Sequence, residues 1–178
     1  ADRTWHIRWK GNAHDLDDFL LLGAERAMRA LATRDPAAAR SWLARLARST
    51  LETAATVSAQ AFIGNPEQFA GEAANWLLDQ PGRLKLGFGD SPAWTTREVI
   101  AAIAPHLDPE TLGRLEAGLI GYTTPWERTY EGIRGRGYTE FTLLGGIGDR
   151  YLTPGGRRRF EELRRKFQED DVPEPRGI

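Results

Sequence analysis

One cluster in this chain has residue types that bind metal. His14-Asp15, followed by Asp17 and Asp18, sets an imidazole beside three carboxylates. In metal-dependent phosphohydrolases such a pairing holds a divalent ion, but further ligands must arrive from other helices. The remaining histidines offer little: His6 falls in an extended N-terminal segment and His106 at a helix end. Aspartates in a first helical turn are already explained by the unpaired amides and positive dipole end they meet there. A phosphohydrolase is therefore the weakest functional reading. No Gly-x-Ser-x-Gly elbow occurs, nor a Walker-type glycine loop carrying Lys and Ser/Thr. Gly87-Phe88-Gly89 and Gly145-Gly146-Ile147-Gly148 lack the strand-turn-helix context of phosphate cradles and read as turns. The sequence assigns no catalytic residue, no cofactor and no metal.

The stretch from Gln80 to Trp94 is more informative, because Leu84, Leu86 and Phe88 alternate with polar residues in a long loop between two helices. Long loops in compact folds usually have a purpose. Either the apolar side chains plug a gap between helix pairs, or the loop lines a binding surface, with Arg83, Lys85, Phe88, Trp94 and Arg97 touching a partner and Trp94 and Arg97 as anchors. A second cluster, Arg134, Arg136, Arg150, Arg157 to Arg159, Arg164, Arg165 and Lys166, suits phosphate backbones. Glu161, Glu162, Glu169, Asp170 and Asp171 interleave with it, so a nucleic-acid-binding helical module is the lesser alternative.

The elements that must position these groups are helical. Asp35-Pro36, Asn65-Pro66, Asp108-Pro109 and Thr153-Pro154 each pair a capping residue with proline at the first helical position. Ser49 with Glu52 and Thr95 with Glu98 have capping-box spacing. The buried stripes are expected at Leu20, Ala24, Ala27, Met28 and Leu31; at Trp42, Leu43 and Leu46; at Leu51, Ala55, Ser58 and Phe62; and at Phe69, Ala73, Trp76 and Leu77. Further along they continue with Val99, Ile100 and Ile103, then Leu112, Leu115 and Leu119, and finally Phe160, Leu163 and Phe167. Thr123 to Ile133 reads as a short helix, and Tyr138 to Leu144 as another ended by Gly145-Gly146. The fold class is all-α: an irregular α-solenoid of stacked antiparallel helices akin to HEAT or tetratricopeptide arrays, or alternatively a compact helical bundle. One helical domain spans 1–168, made of an extended arm (1–12, with Trp5, Ile7 and Trp9), first helices (13–64), central helices (65–122) and C-terminal helices (123–168). Residues 169–178 form a linker or tail.

At 178 residues and net charge -1 the chain lacks the basic field that drives non-specific attachment to nucleic acid or membrane. It can bury roughly 70% of its unfolded surface without staples, and it contains no cysteine for disulfides, thiol nucleophiles or thiolate zinc sites. Cysteine usage and the lack of a leader pattern point to the cytoplasm. No apolar run approaches the roughly 18 residues of a membrane span.

Several phrases resemble a known family: Trp76-Leu77-Leu78-Asp79, Arg83 to Phe88, Trp94-Thr95-Thr96-Arg97-Glu98, Tyr138 to Leu144, and Arg159 to Phe167. Across roughly Asn65 to Ile178 the chain is similar to the helical region of large bacterial ATP-binding proteins of the STAND/NACHT type. The resemblance implies a helical sensor or scaffold that follows a nucleotide-binding core and binds a protein partner or neighbouring domains of its own polypeptide. The ATPase motifs are missing from this chain, and the resemblance leaves 1–64 uncovered.

Overall fold

The computed structural model describes residues 16–88, 92–129 and 135–167, with the side chain of residue 17 excepted. The arm, the tail, His14-Asp15 and the end of the expected helix at Ile133 lie outside them. Among the described residues the fold is all-α. Its helices are α1 (Leu16–Arg34), α2 (Pro36–Leu46), α3 (Glu52–Gly64), α4 (Pro66–Asp79), α5 (Trp94–Ile103), α6 (Pro109–Leu119), α7 (Tyr138–Ile147) and α8 (Pro154–Lys166). Short 3-10 turns cover Pro81–Lys85, Ala104–His106 and Trp126–Arg128. No described helix is long and apolar enough to cross a membrane.

All four cap-proline starts form as the sequence predicts. Asp35 accepts from the Ala38 amide at 3.0 Å, Asn65 from Gln68 at 3.4 Å, Asp108 from Thr111 at 2.8 Å and Thr153 from Gly156 at 3.1 Å. Proline lacks an amide that would need an acceptor, so cap and proline together make each start abrupt. The amide that Asp108 accepts also favours its charged form and lowers its pKa. Both expected capping boxes at Ser49 and Thr95 shift. Ser49 instead accepts from the Leu51 amide two residues on, and α3 begins at Glu52 without a side-chain cap bond. At α5 the cap position is Ala93, in the left-handed region at φ 61°, which leaves Thr95 buried one residue inside the helix.

Each odd-numbered helix packs on the next odd-numbered one: α1 on α3, α3 on α5, α5 on α7. The even-numbered helices lean against them, α2 on α1 and α3, α4 on α3 and α5, α6 on α7, α8 on α7, and α6 also touches the even-numbered α4. Main chains come very close at two of these contacts. A Cβ on Gly64 would sit 2.6 Å from the Arg29 carbonyl oxygen, joining α3 to α1, and one on Gly146 would sit 2.9 Å from the Arg97 carbonyl oxygen, joining α7 to α5. Gly145 and Gly146 therefore do not end α7, as their composition suggests; they carry it past α5, and the helix stops at Gly148 with φ 80°.

The core matches the predicted stripes from α4 onward, with Phe69, Ala73, Leu77, Val99, Ile100, Ile103, Leu115 and Leu119 all fully buried. Phe160, Leu163 and Phe167 close it from α8. Two stripes match in part, with Met28, Leu31, Leu43 and Leu46 on the core side as expected. In α1, Leu20 is 63% exposed while Asp18, Glu25, Met28 and Ala32 face inward. In α2, Trp42 is half exposed under the Arg45 guanidinium, and Ala39 takes the inner position. Leucines on two faces of α1 give periodicity no single answer, so close approach to α3 decides which face is covered.

The glycine contacts can be tested against a control. Gly146→Ala should destabilise the protein by about 1–3 kcal/mol in denaturant unfolding, because backbone rather than a yielding side chain opposes the methyl. Gly71→Ala, on the exposed face of α4 with open space around the position, should stabilise it by about 0.5–1 kcal/mol.

Candidate functional site

The Gln80 to Trp94 loop is tied down at several points. Thr96 Oγ1 donates to the Arg83 carbonyl at 2.6 Å, and the Thr96 amide donates to the Leu86 carbonyl at 3.2 Å. Tyr122 Oη donates to the Pro81 carbonyl at 2.9 Å. Leu84 and Leu86 drop into the core at 4% and 2% exposure. The loop is thus a plug over the described residues.

This splits the five residues expected to meet a partner. Trp94 is 2% exposed, so it is a core side chain rather than a surface anchor, a correction that follows from its place at the start of α5. Arg97 is half-buried, with its guanidinium 4.5 Å from the Trp94 ring centroid and its side chain against Gly145 and Gly146. Burial makes that guanidinium less basic, offset in part by Glu98 and Tyr138. Phe88 is half-buried and Lys85 exposed.

Arg83 lies deeper than a surface contact, with its side chain only 9% exposed. Nη1 donates to the Trp76 carbonyl at 2.7 Å and meets Asp79 Oδ2 at 3.4 Å, while the guanidinium lies 4.6 Å from the Trp76 ring centroid. Desolvation lowers its pKa, against the pull of Asp79. Arg83 and Lys85 line a cleft of about 190 Å³ between the α2–α3 turn, the first turns of α3 and the Pro81–Lys85 turn. Its apolar walls are Leu46, Leu51, Trp76 and Leu86.

Among the described residues the second half of the chain contains three buried glutamates that pattern reading passed over. Glu127 accepts from the Thr124 amide at 2.7 Å through one oxygen and from the Thr139 amide at 3.0 Å through the other, thereby capping α7 from a distance. Glu116 accepts from the Thr153 amide at 2.8 Å and from its hydroxyl, and it packs so near Gly156 that no Cβ fits there. Glu140, 1% exposed, receives Nε and Nη2 of Arg159 at 2.8 Å each, which raises the arginine's pKa. Only Glu127 left a trace in the sequence. Thr124 and Glu127 have capping-box spacing, and the reciprocal bond from the Glu127 amide to Thr124 Oγ1 measures 3.3 Å. All three carboxylates have strong donors and hold structure together.

Among the described residues no group of three or more His, Cys, Asp or Glu can hold a metal ion, and His106 is exposed at the end of a 3-10 turn. Several cations of the arginine cluster are engaged within the chain. Arg159 is held by Glu140 and Glu162, Arg164 by Glu161 and Asp149, Arg157 by the Asp149 carbonyl, and Lys166 by the Arg136 carbonyl. Comparison with family models, curated proteins and solved structures finds no match to this chain.

The two halves of the expected surface should separate in stability measurements. Trp94→Ala should cost about 3–5 kcal/mol, as for a buried aromatic. Lys85→Ala should stay within about 0.5 kcal/mol of the parent.

Proposed function

We propose that this chain is a non-catalytic helical segment, an irregular α-solenoid, that serves as a scaffold or sensor by binding protein. The observation that carries the reading is the packing order: every extensive helix pairing joins helices one or two apart in sequence. Arrays built by adding one helix pair after another have that order, and they act through surface rather than through a reaction.

A second feature agrees with it. Leu16, Phe19 and Leu20 are 72%, 60% and 63% exposed on one face of α1, at the spacing of a buried helical stripe. In a stacked array that face would receive a neighbouring helix or a protein partner. The resemblance to STAND/NACHT-type ATP-binding proteins supports placing the segment beside a nucleotide-binding core in a longer polypeptide.

Reading the coding sequence outward is the direct test, with a P-loop expected upstream and more amphipathic helices downstream. An open reading frame that ends at these residues would refute the placement. The double substitution Phe19→Ser and Leu20→Ser should leave unfolding free energy within about 0.5 kcal/mol, since both side chains are already in water. The same substitution should abolish association with the flanking helices supplied as a separate chain. A large loss of stability instead would make this face part of the segment's own core.

A further inference from the structure

The cleft beside Arg83 has the chemistry of a ligand site. A guanidinium can grip a carboxylate side-on through its Nε and Nη2 hydrogens, two parallel charge-assisted bonds. In this molecule Arg159 uses that edge on Glu140, with both bonds at 2.8 Å, and Arg29 uses it on Gln60 at 3.1 and 2.6 Å. Arg83 differs. Its hydrogen bonds to the chain are made through Nη1, to the Trp76 carbonyl and Asp79, so the Nε–Nη2 edge meets no acceptor among the described residues. Neither nitrogen is shut off from solvent, and the side chain, nine-tenths buried, lines the cleft.

The surroundings favour an anion. Lys85 adds a second positive charge to the lining, where Glu52 is the single acid, while Asp79 meets Arg83 from outside the lining through Nη1 and leaves the Nε–Nη2 edge open. The N-terminus of α3, begun without a side-chain cap bond, adds partial positive charge on the same wall. Opposite the charges, Leu46, Leu51, Trp76 and Leu86 supply an apolar lining. Stacking on Trp76 and the Nη1 bond fix the guanidinium plane before any ligand arrives, which lowers the ordering cost of binding. At about 190 Å³ the space suits a group the size of one side chain. Drug-sized ligands need about 300 Å³ or more.

We infer that this cleft binds a carboxylate carried on a small apolar body, with the Nε–Nη2 edge of Arg83 as the bidentate donor and Lys85 as the second cation. The ligand is either a free aromatic acid or an acidic side chain beside an apolar residue in a peptide.

The test uses the ¹⁵N-labelled chain and follows the arginine Nε–H resonances during titration with sodium phenylacetate. The Arg83 signal should shift with a dissociation constant on the order of 1 mM, typical of a ligand with so few heavy atoms. Neutral phenylacetamide, of nearly the same shape, should bind at least about tenfold more weakly, since it cannot replace a charge-assisted pair. A capped Leu-Glu-Phe tripeptide distinguishes the sources: tighter binding than phenylacetate assigns the site to a peptide acid, weaker binding to a free one. Ala55→Phe, which fills the cleft without touching Arg83's bonds, should abolish the shift. Lys85→Glu, on an exposed residue, should weaken binding about tenfold or more. Equal affinity for acid and amide, shifts that bypass Arg83, or no response at about 20 mM phenylacetate would overturn the inference.

Discussion

Short helices have a shared difficulty at their starts, where the first amides have no carbonyl behind them. This chain turns often, so it meets the difficulty often, and its solutions set the geometry. Asp35, Asn65, Asp108 and Thr153 answer it locally, each from the residue before a proline. Glu127 answers it across a gap, by reaching the first turn of α7, and Glu116 holds the capping threonine of α8. A carboxylate that caps a helix belonging to another part of the chain also fixes where that helix lies. The C-terminal elements are thus placed by polar bonds inside the core as much as by apolar contact.

That distinction explains what was legible in the sequence. Local solutions have a local signature, so the four cap-proline starts and the stripes from Phe69 to Leu119 could be read in order. Remote ones do not: nothing around Glu116 or Glu140 points to Thr153 or Arg159, which lie 37 and 19 residues away. In α1 Met28 and Leu31 face the core as expected but Leu20 does not, since leucines at 16, 20, 21 and 22 offer more than one apolar face and only the partner helix decides between them. Ala93 shows a third kind of limit. Its left-handed backbone follows from how the loop re-enters the fold, and alanine gives no warning of it.

The candidate site was half legible. Alternation of Leu84 and Leu86 left plug and binding surface both open; the two leucines are buried, and both arginine and lysine of the loop border open space. Aromatic residues misled, because tryptophan is as common in cores as at interfaces and its type alone does not choose. Trp94 went inside, while Trp42 and Trp126 stayed largely in solvent. Arg83 was hardest to foresee: a side chain buried to nine-tenths, its guanidinium stacked on Trp76, is a property of the folded loop.

The glycines at 64 and 146 have a wider effect. Where two helices touch through side chains, a larger or smaller residue changes their separation, and the bundle can drift as its sequence drifts. Where carbonyl oxygens of one helix lie against the bare Cα of the next, separation is a dimension of the main chain itself. At these two crossings, α1 with α3 and α5 with α7, the separation is therefore set by backbone against backbone, and exchanges of core side chains elsewhere have little hold on it.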